Sequence, residues 1–283
     1  MYKLGLIGYP LSQSMSKIIH EAAFKSLGLE GTYDLIETEK EDLVQRIKEI
    51  RNNNFNGFNI TIPLKVPVMV FLSGVDNVAN VAGSVNTVKI MEDYSLYGYN
   101  TDVYGFVEAI SPDFRKEIEG SEIAVLGNGG AARAVAVGLC ILKAKKINFF
   151  ARNIINASET VNMLRANFSS VEMNCYQIES LKDLSNYKML VNTTPIGMRG
   201  KAMGLSPIDE QYIKTMNKDS VVYDIVYNPL KTELIKYAKR NGIRTIQGLD
   251  MLIYQGAKAF EIWTGKTPDT KIMKIAALEE MVD

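Results

Sequence analysis

The run Gly127-Asn128-Gly129-Gly130-Ala131-Ala132 restricts the fold of this 283-residue chain more than any other stretch. It follows an apolar segment, Glu122 to Leu126, that reads as a buried strand, and it opens Ala131 to Leu142, which reads as a helix. Glycine at the first position permits a tight turn, and glycine at the third lets a bound group approach the backbone. The small Ala132 lets helix and strand pack closely. The helix start then offers unpaired N–H groups and a positive dipole end to an anion. A glycine triplet alone would fit a plain tight turn. Between a strand and a helix, G-x-G-x-x-A reads as the pyrophosphate cradle of a dinucleotide-binding unit.

The next strand separates the two nicotinamide dinucleotides. An Asp or Glu about 20 residues beyond the loop binds ribose hydroxyls of NAD, whereas Arg accepts the extra phosphate of NADP. Here the strand runs Phe149-Phe150-Ala151-Arg152-Asn153, and the next acid is Glu159. Arg152 can pair with a phosphate and stack on adenine, so NADP is expected. A solvated charge at a strand end is the plainer alternative.

Around this unit, short apolar runs alternate with amphipathic stretches, which predicts an α/β layer structure with mostly parallel sheets. In the first part, Tyr2–Gly8, Thr32–Glu37, Gly57–Ile62, Ser84–Met91 and Ser95–Asn100 read as strands. Ser16–Leu27, Lys40–Asn52, Pro67–Leu72 and Asp76–Ala82 read as helices, and Thr101–Phe114 as a connecting helix. In the second part the strands are Ile123–Leu126, Ile147–Ala151, Val171–Tyr176, Met189–Asn192, Val221–Ile225 and Arg244–Gln247. Helices are expected at Ala157–Asn167, Leu230–Asn241, Leu249–Trp263 and Ala276–Met281. Two domains follow: an open α/β domain over 1–103, joined by carboxy-terminal helices 249–283, and a doubly wound Rossmann-type domain over 104–248.

Several classes of function are excluded. Lys plus Arg and Asp plus Glu both number 32, so no overall field draws the chain to nucleic acid or an anionic membrane. Cys140 and Cys175 lack metal-like spacing, and His20 is the sole histidine, which disfavours zinc sites and Ser-His chemistry. His20 reads as one face of an early helix. No apolar run approaches the roughly 20 residues of a membrane span, and the first residues carry no targeting pattern, so a cytoplasmic location is expected.

In the amino-terminal part, four segments place polar groups at strand ends, where open α/β sheets bind ligands: Ser14-Met15-Ser16, Thr61 with Lys65, Asn86-Thr87, and Asn100-Thr101-Asp102. Singly, the serines would serve as helix caps and the Thr61 segment as a strand ended by proline. Together they supply donors for a carboxylate, a lysine acid/base and a carboxylate partner for it, as a polyhydroxylated acid requires.

These segments, in this order, resemble the shikimate dehydrogenase family, and the resemblance runs from Leu4 to Gly265. It is carried by Gly8-Tyr9-Pro10-Leu11-x-x-Ser14-x-Ser16, Asn59-x-Thr61-Ile62-Pro63-x-Lys65, Gly83-Ser84-Val85-Asn86-Thr87 and Gly98-x-Asn100-Thr101-Asp102. Beyond the glycine loop it continues in Asn192-Thr193-Thr194-Pro195-x-Gly197-Met198, Asp224-x-x-Tyr227-Asn228-Pro229-x-x-Thr232 and Gly248-Leu249-x-Met251-Leu252-x-x-Gln255-Gly256-Ala257.

The resemblance implies metal-free, NADPH-dependent reduction of 3-dehydroshikimate to shikimate, in chorismate and aromatic amino-acid biosynthesis. It implies that Ser14 and Ser16 bind the substrate carboxylate. Thr61, Asn86, Asp102 and Gln255 would bind hydroxyls near the reacting carbon, and Tyr227 would sit over the substrate. Lys65 would be the general acid/base, with Asp102 favouring its charged form. Gly127, Asn128, Gly129, Gly130 and Ala131 would hold the pyrophosphate and Arg152 the adenosine phosphate. Thr193, Ile225 and Gly248 would complete the cofactor site. The expected partner is the small-molecule substrate, on a monomer or homodimer.

The chain departs from the family pattern at Gln13 (usually His), Lys17 (usually Pro), Asn77 (often an acid), Ser84 (commonly Ala) and Asn153 (commonly Thr or Ser). Gln13 and Lys17 border the carboxylate pocket, and Asn153 lacks a hydroxyl for the phosphate. Two alternatives stay open: a quinate/shikimate dehydrogenase working with NAD, and a non-catalytic dinucleotide-binding regulator. A methylenetetrahydrofolate enzyme lacks support from the serine pair and the tail motif.

Overall fold

The computed structural model describes residues 1–200 and 202–281; the expected tail range reaches two residues beyond this set. The chain divides into two compact units, Met1–Gly105 with Ile253–Asp283, and Phe106–Leu252.

The first unit is built on β1 (Tyr2–Gly8), β2 (Gly31–Glu37), β3 (Gly57–Ile60), β4 (Gly74–Val75), β5 (Thr87–Ile90) and β6 (Leu96–Tyr99). They form a six-stranded sheet in the order β2-β1-β3-β5-β6-β4. β1 pairs in parallel with β2 and β3, but β5 runs antiparallel to both β3 and β6, so the sheet is mixed. The turn at Glu92-Asp93 within the short connection from Ile90 to Leu96 explains the β5–β6 pairing, because so short a link can only join antiparallel strands. The short β4 lies on an edge, parallel to β6, and is too brief to leave a sequence pattern. One face of the sheet buries Phe58, Ile60, Leu64, Val68 and Val88 in a common cluster. Complete burial of such side chains stabilises by about 1.5–3 kcal/mol each.

The second unit is a six-stranded, all-parallel sheet of β7 (Glu122–Leu126), β8 (Lys146–Ala151), β9 (Glu172–Gln177), β10 (Met189–Asn192), β11 (Val221–Asp224) and β12 (Arg244–Gln247). Its order is β12-β11-β10-β7-β8-β9, the doubly wound arrangement that reverses direction at β7. All residues of β10 and β11 are buried, as expected for inner parallel strands.

Several expected boundaries move, each for a local reason. The connecting helix expected over Thr101–Phe114 is two helices, Thr101–Glu108 and Pro112–Ile118. Pro112 cannot continue a helix, and the Ser111 hydroxyl caps the second one by accepting from Phe114 N. The helix expected from Lys40 begins at Leu43, and the strand expected to Ile62 ends at Ile60, before Pro63. Strand β5 starts only at Thr87, three residues after Ser84. Pro67–Phe71 is a 3₁₀ helix. The last helix begins at Thr270, capped by Asp269, six residues ahead of Ala276. The short helix Glu210–Ile213 has no counterpart among the expected elements. No helix among the described residues is long and apolar enough to cross a membrane.

Candidate active site

Four of the polar segments in the first unit come together because of strand direction. β1, β3 and β6 all point the same way, and β5 runs against them, so the ends of β1, β3 and β6 lie at one edge with the start of β5. Ser14 and Ser16 follow β1, Thr61 and Lys65 follow β3, Asn86 precedes β5, and Asp102 follows β6.

Lys65 Nζ donates to Asp102 Oδ2 at 2.6 Å, with the lysine side chain 16% and the carboxylate 8% exposed. Asn86 Nδ2 donates to the other carboxylate oxygen, Oδ1, at 2.9 Å. The Thr101 backbone N–H donates to Asn86 Oδ1 at 2.7 Å, which fixes the orientation of that amide. Gln255, on the helix Gly248–Thr264, accepts from Asn86 Nδ2 through Oε1 at 3.3 Å. Lys65, Asn86, Asp102 and Gln255 therefore form one connected polar group. Asp102 sits in the first turn of its helix, where the dipole favours a negative charge.

The serines are less tightly held. Met15, not a serine, occupies the N-cap position, and no side chain caps the helix Ser16–Ser26 there. Ser14 Oγ accepts weakly from Ser16 N at 3.3 Å. Capping therefore does not account for the pair. Thr61 is half-buried directly after β3. Lys17 is half exposed and lies 3.8 Å from Glu21, so part of its charge is met locally.

In the second unit the glycine loop links β7 to the helix Gly130–Ile141. Gly127 has φ +104, and a Cβ there would stand 2.7 Å from Thr193 Oγ1, so only glycine fits. Gly129 differs: its Cβ would meet nothing within 4 Å. Protein packing does not require glycine at that position, and the open space lies at a helix start without a side-chain cap. The free N–H groups and the open approach fit a pyrophosphate. Thr193 Oγ1 donates to Leu126 O at 2.6 Å, tying the loop after β10 to the end of β7.

Arg152 is exposed just after β8, whose register with β7 brings Phe150 opposite Leu126 beside the glycine loop. Asn153 Oδ1 accepts from Asn156 N at 3.1 Å as the cap of the helix Ile154–Asn167, so this side chain has a structural task. A Cβ on Gly248 would fall 2.1 Å from Ile225 O, so glycine there allows the backbones after β11 and β12 to touch. Tyr227 is half-buried beyond β11.

Residues 6–88 match the family described as the shikimate dehydrogenase substrate binding domain, and residues 248–278 match the shikimate 5'-dehydrogenase C-terminal domain. A shikimate dehydrogenase (NADP(+)) of Methanococcus aeolicus is 40% identical over 280 residues, covering 98% of this chain and 96% of that protein. The chain belongs to the shikimate dehydrogenase family. Among solved structures, a shikimate dehydrogenase in complex with NADP+ is 36% identical with a TM-score of 0.88, covering 100% of this chain and 96% of that one. The Thermus thermophilus shikimate 5-dehydrogenase in complex with NADP(H) and shikimate is 34% identical with a TM-score of 0.84, covering 99% of each chain.

Two residues that sequence reading placed in family motifs without a role form the hub of the second unit. Asp224 is fully buried and accepts from Asn192 Nδ2 at 2.9 Å, Val226 N at 3.1 Å and Thr232 Oγ1 at 2.6 Å. Asn192 Oδ1 in turn accepts from Thr194 N and Oγ1. The pair stands opposite in the β10–β11 register and anchors the loops that carry Thr193 and Ile225. Two polar residues ending adjacent buried strands were the available signal. Only the register shows that they meet.

Burial pushes the Asp224 carboxyl up to about 6 from an ordinary 3.8, against the hydrogen bonds that favour its charge. The native protein therefore holds this proton over a range where the unfolded chain has released it. That stability is fully present below about pH 4 and is lost as pH rises through about 6. The loss is about 3 kcal/mol. Hydrogen exchange of the β11 amides in the parent and in Asp224→Asn should show a fall in protection between pH 4 and 6 in the parent only. An equal fall in both proteins would assign the titration elsewhere.

Proposed function

We infer that this member of the shikimate dehydrogenase family is an NADP-dependent shikimate dehydrogenase, an oxidoreductase that interconverts 3-dehydroshikimate and shikimate in aromatic amino-acid biosynthesis. The Lys65–Asp102–Asn86–Gln255 group supports this most directly, because it sets a proton donor among groups suited to neighbouring hydroxyls. In this reading the first unit is the substrate domain and the second the NADP domain.

Ser14 and Ser16 offer hydroxyls to the substrate carboxylate, and Thr61, Asn86, Asp102 and Gln255 bind hydroxyls on the ring. Gly127, Asn128, Gly129, Gly130 and Ala131 hold the pyrophosphate, and Arg152 the adenosine phosphate. Thr193, Ile225, Gly248 and, on the substrate, Tyr227 complete the contacts. When bound, NADPH supplies the hydride. As charge develops on the ketone oxygen, Lys65 Nζ gives it a proton. Asp102 then holds the lysine rotamer by its 2.6 Å contact. In the oxidative direction the same nitrogen takes the hydroxyl proton, and alkaline solution favours oxidation because the reaction in that direction releases a proton. A cytoplasmic enzyme, monomeric or homodimeric, is consistent with this chemistry.

Steady-state rates for shikimate and quinate, each with NADP+ and NAD+, test the assignment. Shikimate with NADP+ is expected to give the highest kcat/KM. Faster quinate oxidation with NAD+ would replace it by a quinate dehydrogenase. Cofactor binding without turnover of either acid would point to a regulator.

A further inference from the structure

The group that carries Lys65 is backed by further polar side chains, and the whole layer is nearly out of contact with solvent. Tyr33, Asn59, Asn86, Thr87, Thr101 and Asp102 are 0%, 5%, 2%, 0%, 2% and 6% exposed. Polar groups at such depth cost free energy unless each finds a partner. Here the partners can be followed one by one, and their polarity is fixed except between Thr87 and Thr101, where either hydroxyl can donate.

The Asn86 backbone carbonyl, which can only accept, receives Ile60 N at 2.8 Å and Asn59 Nδ2 at 3.1 Å. Asn59 must therefore present its nitrogen to Asn86 and its oxygen the other way. That oxygen faces the Tyr33 hydroxyl at 2.7 Å, so the phenol donates. The second Asn59 amide hydrogen goes to Thr87 Oγ1 at 3.0 Å. Thr87 then has its own proton left for Asn86 Oδ1, 3.1 Å away, or for Thr101 Oγ1 at 3.2 Å. Asn86 is thus gripped at its backbone oxygen, and its side-chain oxygen has Thr101 N, Thr101 Oγ1 and Thr87 Oγ1 in reach.

The grip matters because the front of Asn86 is under-determined. Its Nδ2 has two hydrogens but three acceptors in reach: Asp102 Oδ1 and Thr101 Oγ1 at 2.9 Å, and Gln255 Oε1 at 3.3 Å. Only the first choice holds the Asp102 carboxylate with Oδ2 turned to Lys65. The Thr101 N–H fixes which end of the amide is the oxygen, but it leaves the choice among these acceptors open.

We propose that Asn59, backed by the Tyr33 hydroxyl, is a positioning residue for the reaction: it fixes Asn86, which aims the Asp102 carboxylate at Lys65. The proposal rests on the reading of Lys65 as the group that exchanges the proton. Asn59 acts through other side chains, so its loss is felt in turnover and not in the affinity for shikimate.

The test uses the full chain carrying Tyr33→Phe, Asn59→Ala, the two together, and Lys65→Ala, each assayed for shikimate oxidation with NADP+. The emission of Trp263, which is 5% exposed in the same unit, confirms folding. Tyr33→Phe removes one oxygen and keeps the ring stacked on His20, at 4.4 Å between centroids. It should lower kcat about 3- to 10-fold, and Asn59→Ala about 10- to 100-fold, with KM for shikimate within about threefold of the parent. The Tyr33 hydroxyl also meets the Ser16 side chain, so the double variant should lose less than the product of the two single losses, because the phenol works in large part through the Asn59 amide. A merely structural role would lower melting temperature without this kcat pattern.

Three results would overturn the proposal: parental kcat in folded Tyr33→Phe, a loss confined to KM, or losses that multiply in the double variant. Should Asn59→Ala fail to fold, Tyr33→Phe alone decides. Parental turnover in Lys65→Ala would instead remove the reading beneath it, and this outcome is distinct from all three.

Discussion

Replacing Lys65 by alanine is expected to lower kcat for shikimate oxidation by about 10²- to 10⁴-fold, the usual share of a positioned acid or base. The loss should fall on kcat and kcat/KM together, since the proton is transferred only in the transition state. Lys65→Arg sharpens the test. A guanidinium keeps the positive charge beside Asp102 but does not give up its proton at accessible pH. If Lys65 served only as a charge, arginine would restore most of the rate in both directions. If it exchanges the proton, oxidation stays slow with arginine, because no neutral base forms. The ion pair is close to buried, so Lys65→Ala leaves Asp102 with Asn86 as its remaining donor, and some destabilisation accompanies the kinetic loss. Saturating substrate and a check on Trp263 emission keep the two effects apart. Turnover within threefold of the parent in Lys65→Ala would remove the lysine from the chemistry.

The acid side of the stability profile should belong in large part to His20. The chain's only imidazole is fully buried, stacked on Tyr33 and flanked by Trp263 at 5.4 Å between centroids. Neither ring nitrogen makes a hydrogen bond of good geometry among the described residues, although the Asn59 side chain lies near enough to favour the charged ring weakly against burial. Burial pushes the imidazole down from 6.5 to about 3, because a charged ring there would have no solvent. The unfolded chain takes up this proton near pH 6.5 and the native chain only near pH 3. The contribution is therefore complete above 6.5 and lost as pH falls toward 3. The full loss is about 5 kcal/mol, a large part of a typical folding free energy. Urea unfolding followed by Trp263 emission should show a steep decline in this range for the parent and a shallower one for His20→Leu. Imidazole proton shifts that titrate near pH 6.5 in the native protein would refute the assignment. In the sequence, His20 reads as a residue on one helix face. That placement is right, but it gives no hint of the aromatic stack that sets its protonation.

The glycine loop shows how much a local pattern can carry. Strand, turn and helix all form within about 20 residues, so the spacing of Gly127, Gly129 and Ala132 was legible without any distant contact. The all-parallel alternation of the second unit was legible for the same reason, since a buried strand and an amphipathic helix each write their own period. The first unit was less so. Its antiparallel strand β5 gives the same short apolar run as a parallel one, and direction is a property of the partner strand. The two-residue β4 is too short to leave any period. The break before Pro112 was present in the sequence, as serine followed by proline, but the flanking apolar residues mask it in a periodicity reading.

The site divides along the same line. Ser14, Thr61, Lys65, Asn86 and Asp102 stand at strand ends, and the order of their motifs was enough to indicate a family and a chemistry. What the sequence determined by itself was the residue types and the local frames that hold them. Only the tertiary structure decided which of them meet. The 2.6 Å contact of Lys65 with Asp102 bridges 37 residues, and the contact of Asn86 with Gln255 bridges 169. The Asn192–Asp224 hub and the Tyr33–Asn59 layer also depend on strands brought side by side. Hydrogen bonds act over about 3 Å, whereas sequence patterns record only neighbours along the chain. A buried donor therefore reveals its acceptor only after the sheet has closed.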